Sequence, residues 1–287
     1  MIGVLQQTLK KQNLNILLRW KCLGWMKKTL KCIRCGCQNL YSVRREKKRC
    51  SSCYYEWKPG KLPLHLTRKE WSNILHWFLR GLPVVAIAQE TVIHKQRILR
   101  ALTYVRESFQ KDIPEIFSGT VEVDETYIGG QWKNKRHSTK AGGSKRGRGT
   151  SKTPVFGILC RGGKVWAQVV SDVEAKTLLP LISRRVELGS TVCSDTWKSY
   201  TGVAANGYVH RLVKHNEGEY SDGKGNHING LEGFWGYLKR RLAAKGGIRK
   251  ERLPLYLAEY VWRYNHRNDS FDLQKKLILQ QLGRCHV

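Results

Sequence analysis

Acids are scarce in this chain, 22 against 52 Lys and Arg, so the places where they fall carry information. Asp124 follows Thr120-Val-Glu-Val, an alternating run, and Asp195 follows Ser190-Thr-Val-Cys-Ser. Both read as the acidic ends of strands. Glu232 lies on a stretch whose apolar positions, Ile228, Leu231, Trp235, Leu238 and Leu242, recur at helical spacing. Carboxylates converging from two strand ends and a helix make a hard oxygen site for Mg²⁺ or Mn²⁺. Two such ions about 3.5–4 Å apart activate a water or a 3′-hydroxyl and stabilise the leaving oxygen of a phosphodiester. Lys239 lies two helical turns beyond Glu232 on the same face, where it could hold a flanking phosphate. The plainer alternative makes Glu232 a solvent-exposed salt-bridge partner. Glu125, next to Asp124 along a strand, is expected to point to the opposite face.

A second chemistry lies near the start. Residues 32–53 read CIRCGCQNLYSVRREKKRCSSC, with Cys32-x-x-Cys35 and Cys50-x-x-Cys53 separated by fourteen residues. Two such knuckles around a strand-length loop can place four thiolates tetrahedrally about Zn²⁺. Free or disulfide-bonded cysteines are the alternative, and a reducing compartment disfavours the disulfides. Cys37 falls outside the frame. A module this small has almost no core, so the metal would supply its folding energy, about 10–16 kcal/mol in comparable peptides.

Helical patterns follow. Thr67-x-x-Glu70 is a capping box ahead of an apolar face made by Trp71, Ile74, Leu75, Phe78 and Leu79. Gly81-Leu82-Pro83 ends that helix. A short helix over Val84–Thr91, a tight link at Val92-Ile93 and a longer helix from His94 come next. The last buries Ile98, Leu102, Val105 and Phe109, leaving Lys95, Gln96, Arg97 and Arg100 outward near its start. That is the layout of a helix-turn-helix, whose recognition helix reads bases with its N-terminal residues. A helical linker with a basic face is the competing description.

From Gly119 the pattern turns to short strands alternating with helices. Strands are expected at Thr120–Asp124, Val155–Cys160, Lys164–Val170, Ser190–Asp195 and Tyr208–Val213. Helices are expected at 173–187, 226–246 and 252–266. Tyr256, Trp262 and Tyr264 in the last are expected to pack on the sheet, with Glu259 and Arg263 an i,i+4 pair. DNA contact by Arg263, His266 and Arg267 is the minority alternative. Residues 128–153 hold eight Lys or Arg and no acid, among them Lys145, Arg146 and Arg148. A basic loop of this kind would order on a phosphate backbone.

The formal net charge is +30 on 287 residues. Self-repulsion on that scale is costly unless a polyanion neutralises it, and the basic residues are spread through every segment among Trp and Tyr, which favours nucleic acid over a membrane surface. The longest apolar runs, such as Pro83–Ala88, are far short of a membrane span, and the first residues lack the apolar stretch of a signal peptide. The chain is therefore expected to act inside the cell, in the nucleoid or cytoplasm of a bacterium or the nucleus of a eukaryote. A chain of this length can bury about three quarters of its unfolded surface.

The segments VEVDETYIGG, VCSDTWKSY, HINGLEGFWGYLKRRL and LAEYVWRYNHR, together with the cysteine frame, resemble insertion-sequence DDE transposases of the zinc-ribbon group related to Merlin elements, with their bacterial ISXO-type relatives. The resemblance runs from Cys32 to Phe271. It implies an α/β, RNase H-like (integrase-type) core preceded by a small zinc ribbon and a helix-turn-helix, and a catalytic acid triad using Mg²⁺. Matched motif by motif, the triad falls on Asp124, Asp195 and Glu232, with Asn229 the alternative third position. Lys239 matches the family's trailing lysine, and His215 stands where relatives carry a histidine, a surface position being its other reading. The domains so implied are a basic N-terminal segment at 1–30, a ribbon at 31–58, a DNA-binding region at 65–112 and a catalytic domain at 118–275. A transposase of this kind would bind terminal repeats, cleave at them, join the 3′-hydroxyl to target DNA, and work as a dimer or larger assembly. A non-catalytic DNA-binding derivative and a nuclease of the same core acting on hybrids or junctions are the rivals.

Overall fold

The computed structural model describes residues 32, 34–45, 47–57, 62–112, 116–130, 152–195, 200, 202–213 and 228–285. The basic N-terminal segment, His215 and the loop residues Lys145, Arg146 and Arg148 lie outside the described residues. The chain divides into two compact units, Met1–Lys61 with Val287, and Leu62–His286.

In the first unit, β1 (Leu40–Val43), β2 (Lys47–Cys50) and β3 (Glu56–Trp57) form an antiparallel sheet with Leu40 opposite Cys50 and Arg49 opposite Glu56. The Arg49 guanidinium pairs with Glu56 across it. The two cysteine knuckles are built alike. The Gly36 N–H donates to the Cys32 carbonyl at 2.8 Å and the Tyr54 N–H to the Cys50 carbonyl at 3.1 Å. Both closing residues are left-handed, at φ +74° and +57°. Glycine takes that conformation at no steric cost and tyrosine does not.

The second unit opens with three helices: α1 (Arg68–Leu79), α2 (Val84–Thr91) and α3 (Lys95–Lys111). The capping box at Thr67 is present, its hydroxyl accepting from the Glu70 N–H at 3.2 Å while the Glu70 carboxylate accepts from the Thr67 N–H at 2.7 Å. Gly81 ends the first turn at φ +85°, and Val92, at φ +55° and 92% exposed, makes the tight link before α3. Trp71, Ile74, Leu75, Ile87, Ile98, Leu102 and Val105 bury fully or nearly so in one cluster.

That cluster is completed from the far end of the chain. The helix α7 (Phe271–Cys285) adds Ile278 and Leu282, both fully buried, and α6 (Leu253–Asn265) adds Trp262, stacked on Phe109 at 4.4 Å. Trp262 thus packs among helices and not on the sheet as its sequence suggested. Its neighbours on the helix diverge, because Leu257, Tyr260 and Val261 turn to the sheet while Trp262 projects from the opposite flank.

The sheet of this unit contains β4 (Thr120–Ile128), β5 (Thr153–Cys160), β6 (Val165–Val169), β7 (Thr191–Asp195) and β8 (Val209–Val213) in the order β6-β5-β4-β7-β8. β5 is antiparallel to both β4 and β6, whereas β4, β7 and β8 run parallel. Helix α4 (Ala175–Arg185) covers one face through Leu178 and Ile182 against Val121, Val123, Phe156 and Ile158. Helix α5 (Asn229–Ala243), with α6 beside it, covers the other through Leu231, Phe234, Trp235 and Leu238 against Val155, Leu159 and Val165. This is the expected RNase H-like α/β core. β4 is its central strand and runs nine residues, to Ile128, so Asp124 stands mid-strand and not at an end. The extension comes from β5, which pairs with β4 as far as Ile128 opposite Thr153. Among the described residues no helix is long and apolar enough to cross a membrane.

Candidate active site

Strand register brings the two aspartates together. β4 and β7 pair in parallel with Thr120 opposite Thr191, Val121 opposite Val192 and Glu122 opposite Cys193. The same offset carried two residues further sets Asp124 beside Asp195, the last residue of β7. Alternation along β4 sends Val121 and Val123 into the core under α4, and Glu122 and Asp124 to the face covered by α5. Glu125 goes to the α4 face as expected, where its carboxylate accepts from the buried Tyr200 hydroxyl at 2.7 Å.

The Asp124 carboxyl is half-buried and accepts from the Trp235 indole N–H at 3.0 Å. Burial, followed by the charges of Glu125 and Asp195, pushes it up to about 8. Lys239, one helical turn beyond Trp235, is exposed and feels the Asp124 charge. Burial pulls its amine below the ordinary value, and the Asp124 charge opposes that pull.

Helix α5 is fixed to β4 at its first turn. The Glu122 carboxylate, fully buried, accepts the Leu231 N–H at 2.8 Å, satisfying one of the amides that a helix start leaves unpaired. Arg161 reaches the same carboxylate at 3.4 Å. Two glycines make the approach possible. A Cβ on Gly230 would lie 3.0 Å from the Glu122 carboxylate, and one on Gly157 would lie 2.6 Å from the Trp235 ring. Neither Glu122 nor Trp235 stood out from the sequence as part of the site. The signals were an acid two residues before Asp124 on the same strand face, and a glycine inside the apolar run Pro-Val-Phe-Gly-Ile-Leu-Cys, which marks a close approach.

Asn229 and Glu232 both lie in the first turn of α5 and both are exposed. Among the described residues, the one group of three or more His, Cys, Asp or Glu side chains whose ligand atoms all lie within 4.8 Å of one another is the cysteine set. The three carboxylates therefore stand further apart. A two-ion centre tolerates that: with ions about 3.5–4 Å apart and oxygen ligands about 2.1 Å from each, the outermost oxygens can be about 8 Å apart. The donors are hard oxygens of the kind Mg²⁺ or Mn²⁺ takes, and at Asp124 the charges of Glu125 and Asp195 add negative potential that a divalent cation would relieve.

Cys32, Cys35, Cys50 and Cys53 form the thiolate group, with Sγ–Sγ distances of 3.5 Å for Cys32–Cys53 and 3.5 Å for Cys35–Cys50. Four sulfurs about 2.3 Å from a tetrahedral zinc would lie about 3.8 Å apart, so this set also fits its metal. Cys37 is outside it, its sulfur 3.8 Å from the Ser51 hydroxyl. On α3, Lys95, Gln96 and Arg100 are exposed, while the Arg97 guanidinium donates to the carbonyls of Leu64 at 2.9 Å and His65 at 3.2 Å. Arg263 is engaged too. It pairs with Glu259 at 3.0 Å and donates to the carbonyls of Leu79 and Phe78 at the end of α1.

A family model described as the ISXO2-like transposase domain matches residues 116–265. An "uncharacterized transposase-like protein" of Haemophilus influenzae is 38% identical over 119 residues, covering 42% of this chain and 93% of that protein. An "uncharacterized protein in transposable element ISH50" of Halobacterium salinarum is 29% identical over 188 residues, covering 62% of this chain and 61% of its own length. Among solved structures, a pre-cleavage Mos1 transpososome overlaps 80% of this chain and 82% of that one at 10% identity and a TM-score of 0.25. A Mos1 transposase paired-end complex with the left transposon end overlaps 77% and 82% at 13% identity and 0.22. Those two likenesses are too loose to bear on the site.

Proposed function

The chain belongs to the ISXO2-like transposase family, and on that premise we propose that it is a DDE transposase that cuts DNA at the ends of a transposable element and joins them to a target. The observation that carries this reading is the parallel register of β4 and β7, which puts Asp124 and Asp195 on one face of the sheet, near enough for the Asp195 charge to act on the Asp124 carboxyl that Trp235 of α5 also contacts. In this reading residues 31–58 are a zinc ribbon, 65–112 recognise the terminal inverted repeats, and 118–275 catalyse. Because two ends must be brought together, the working form is a dimer or larger assembly on DNA, associated with the DNA of its host cell.

Asp124, Asp195 and Glu232 would hold Mg²⁺ or Mn²⁺, with Asn229 as the alternative to Glu232. Bound there, the ions supply Lewis-acid activation of the attacking oxygen and charge stabilisation at the leaving one. In the first reaction a water oxygen bonds to the phosphorus at the element's end, the bond from phosphorus to the 3′-oxygen breaks, and that oxygen takes a proton to become a 3′-hydroxyl. In the second, the 3′-hydroxyl loses its proton, its oxygen bonds to a target phosphorus, the bond from that phosphorus to the target 3′-oxygen breaks, and the freed oxygen takes a proton. Lys239 holds a non-bridging phosphate oxygen beside Asp124. Glu122 and Gly230 keep the first turn of α5 against β4, which sets where Glu232 can reach. Lys95, Gln96 and Arg100 on α3 contact end DNA, as does the basic loop with Lys145, Arg146 and Arg148. His215 keeps only its sequence-based place near the site.

The test uses duplexes carrying the element's terminal repeats and a target plasmid. Wild-type protein with Mg²⁺ is expected to cleave at the repeat and join the end to the plasmid, and Asp124→Asn to bind the same duplex without either reaction. Equal activity of the two proteins would overturn the catalytic assignment. Cleavage without joining would favour the nuclease, and binding without cleavage by wild type the non-catalytic DNA-binding protein.

A further inference from the structure

Trp235 reads in the sequence as one more apolar residue of the α5 stripe, and most of its ring does pack that way, against Phe234 at 5.2 Å. Its indole N–H does something else: it donates to Asp124 Oδ2 at 3.0 Å, from a side chain 4% exposed. A buried indole needs an acceptor, but many carbonyls would serve, and this one reaches across from α5 to a carboxylate on the central strand.

The opposing strand is shaped to allow it. Gly157 is the β5 residue directly opposite Asp124. A Cβ there would stand 2.6 Å from Trp235 Cζ2 and 2.7 Å from Cη2, so any other residue would push the ring off. The indole therefore lies in a notch at the same rung of the ladder as the carboxylate it holds. Leu231, one turn earlier on α5, reaches the same notch at 3.2 Å and is itself tied to β4 through its own N–H and Glu122.

We propose that Trp235 is a positioning residue for Asp124. Its N–H holds Oδ2 and so fixes the rotation of the carboxyl group, to which the Glu125 backbone amide is a second donor. The proposal rests on the reading of Asp124 as a divalent-cation ligand. Ligating carboxylates are commonly oriented by such donors, and loss of one weakens metal affinity by about 10–100-fold.

The experiment titrates Mn²⁺ into the full-length, zinc-loaded chain without DNA and follows the unbound ion by electron paramagnetic resonance. Asp124→Asn defines the binding that depends on this site. Trp235→Phe is expected to weaken that binding by about 10–100-fold while leaving zinc content unchanged. Because the smaller ring could loosen the core, a second protein carries benzothienylalanine at position 235, which keeps the ring shape and replaces the N–H by sulfur. It is expected to lose the same affinity with an unchanged melting temperature. Wild-type affinity in the benzothienylalanine protein would overturn the proposal. If wild type shows no Mn²⁺ binding that Asp124→Asn removes, the metal reading of Asp124 fails first, and the proposal with it.

Discussion

Asp124 and Asp195 lie on the same face of adjacent parallel strands, 71 positions apart in the chain, the offset that also pairs Thr120 with Thr191, and the Asp195 charge helps to raise the Asp124 carboxyl. Parallel pairing keeps that offset constant, so a residue one step off on either strand would face the other side of the sheet. Each aspartate is expected to be indispensable to strand cleavage. Replacing either by Asn removes a cation ligand whose ion contributes several kcal/mol to the transition state, about a 10²–10⁴-fold loss in rate. End-DNA affinity should be nearly unchanged, since neither aspartate is a DNA-anchoring cation. A cleavage time course and a fluorescence-anisotropy titration check the two halves.

The cysteine frame predicts a stoichiometry. The purified chain should carry one zinc, retain it as Cys37→Ser, and lose it as Cys50→Ser, measured by inductively coupled plasma mass spectrometry. Retention of zinc by Cys50→Ser would remove the tetrahedral assignment. Loss of zinc from Cys37→Ser would place that sulfur in the set.

Arg97 and its neighbours on α3 should separate by readout. Arg97 holds two backbone carbonyls of the segment before α1, so Arg97→Ala should cost about 1–3 kcal/mol of stability. Lys95→Ala and Arg100→Ala should leave the melting temperature nearly unchanged. Each phosphate contact they lose should reduce the slope of log K against log salt by about 0.9. Denaturant melts and salt-dependent binding curves distinguish the two behaviours.

Glu259 is held between Arg106 at 2.7 Å and Arg263 at 3.0 Å with its side chain 3% exposed. Burial raises its carboxyl, but the two guanidinium groups outweigh that and keep it below the ordinary value. Glu259→Gln leaves Arg106 without its carboxylate in the interior, while Arg263 keeps the Leu79 and Phe78 carbonyls, and chemical denaturation should show a loss of about 3–5 kcal/mol.

His266 stacks on Trp262 and meets Asp269 at 2.7 Å and Asp112 at 3.7 Å. Burial pulls its imidazole down, yet the bonds to Asp112 and Asp269 win and raise it above 6.5. A raised histidine stabilises the fold fully below its unfolded value, and that contribution fades as pH climbs through the folded one. His266→Gln should therefore be less stable than wild type at pH 6, with the gap narrowing as pH rises toward 9, read from paired thermal melts. A gap that widened with pH would contradict the assignment.

How far the chain could be read from its letters depended on the range of the interaction involved. The capping box runs over the four residues Thr67–Glu70, the Val92 link joins neighbouring helices, and each cysteine pair is separated by two residues. All three were legible because short spacing dictates geometry. Alternation along Thr120-Val-Glu-Val-Asp placed Glu125 away from Asp124, and the structure agrees. The same alternation did not show that β4 continues to Ile128, since β5, not β4's own sequence, supplies the partners there.

The proposed site was visible as three acids and a lysine, but not how Asp124 is held. Local residue patterns are enough for the order of strands and helices, the thiolate frame and the basic charge, and they show which acids are available to a metal. Tertiary structure alone decided which strands lie side by side, that Glu122 caps α5, that Trp235 holds Asp124, that Arg97 is tied to backbone, and that Trp262 packs against Phe109 and not the sheet. The physical reason is separation along the chain. The Glu122–Leu231 and Asp124–Trp235 bonds join residues 109 and 111 positions apart, and no local propensity specifies a partner at that distance. It is fixed only when the core closes, and Gly157 and Gly230 leave the room in which it can close.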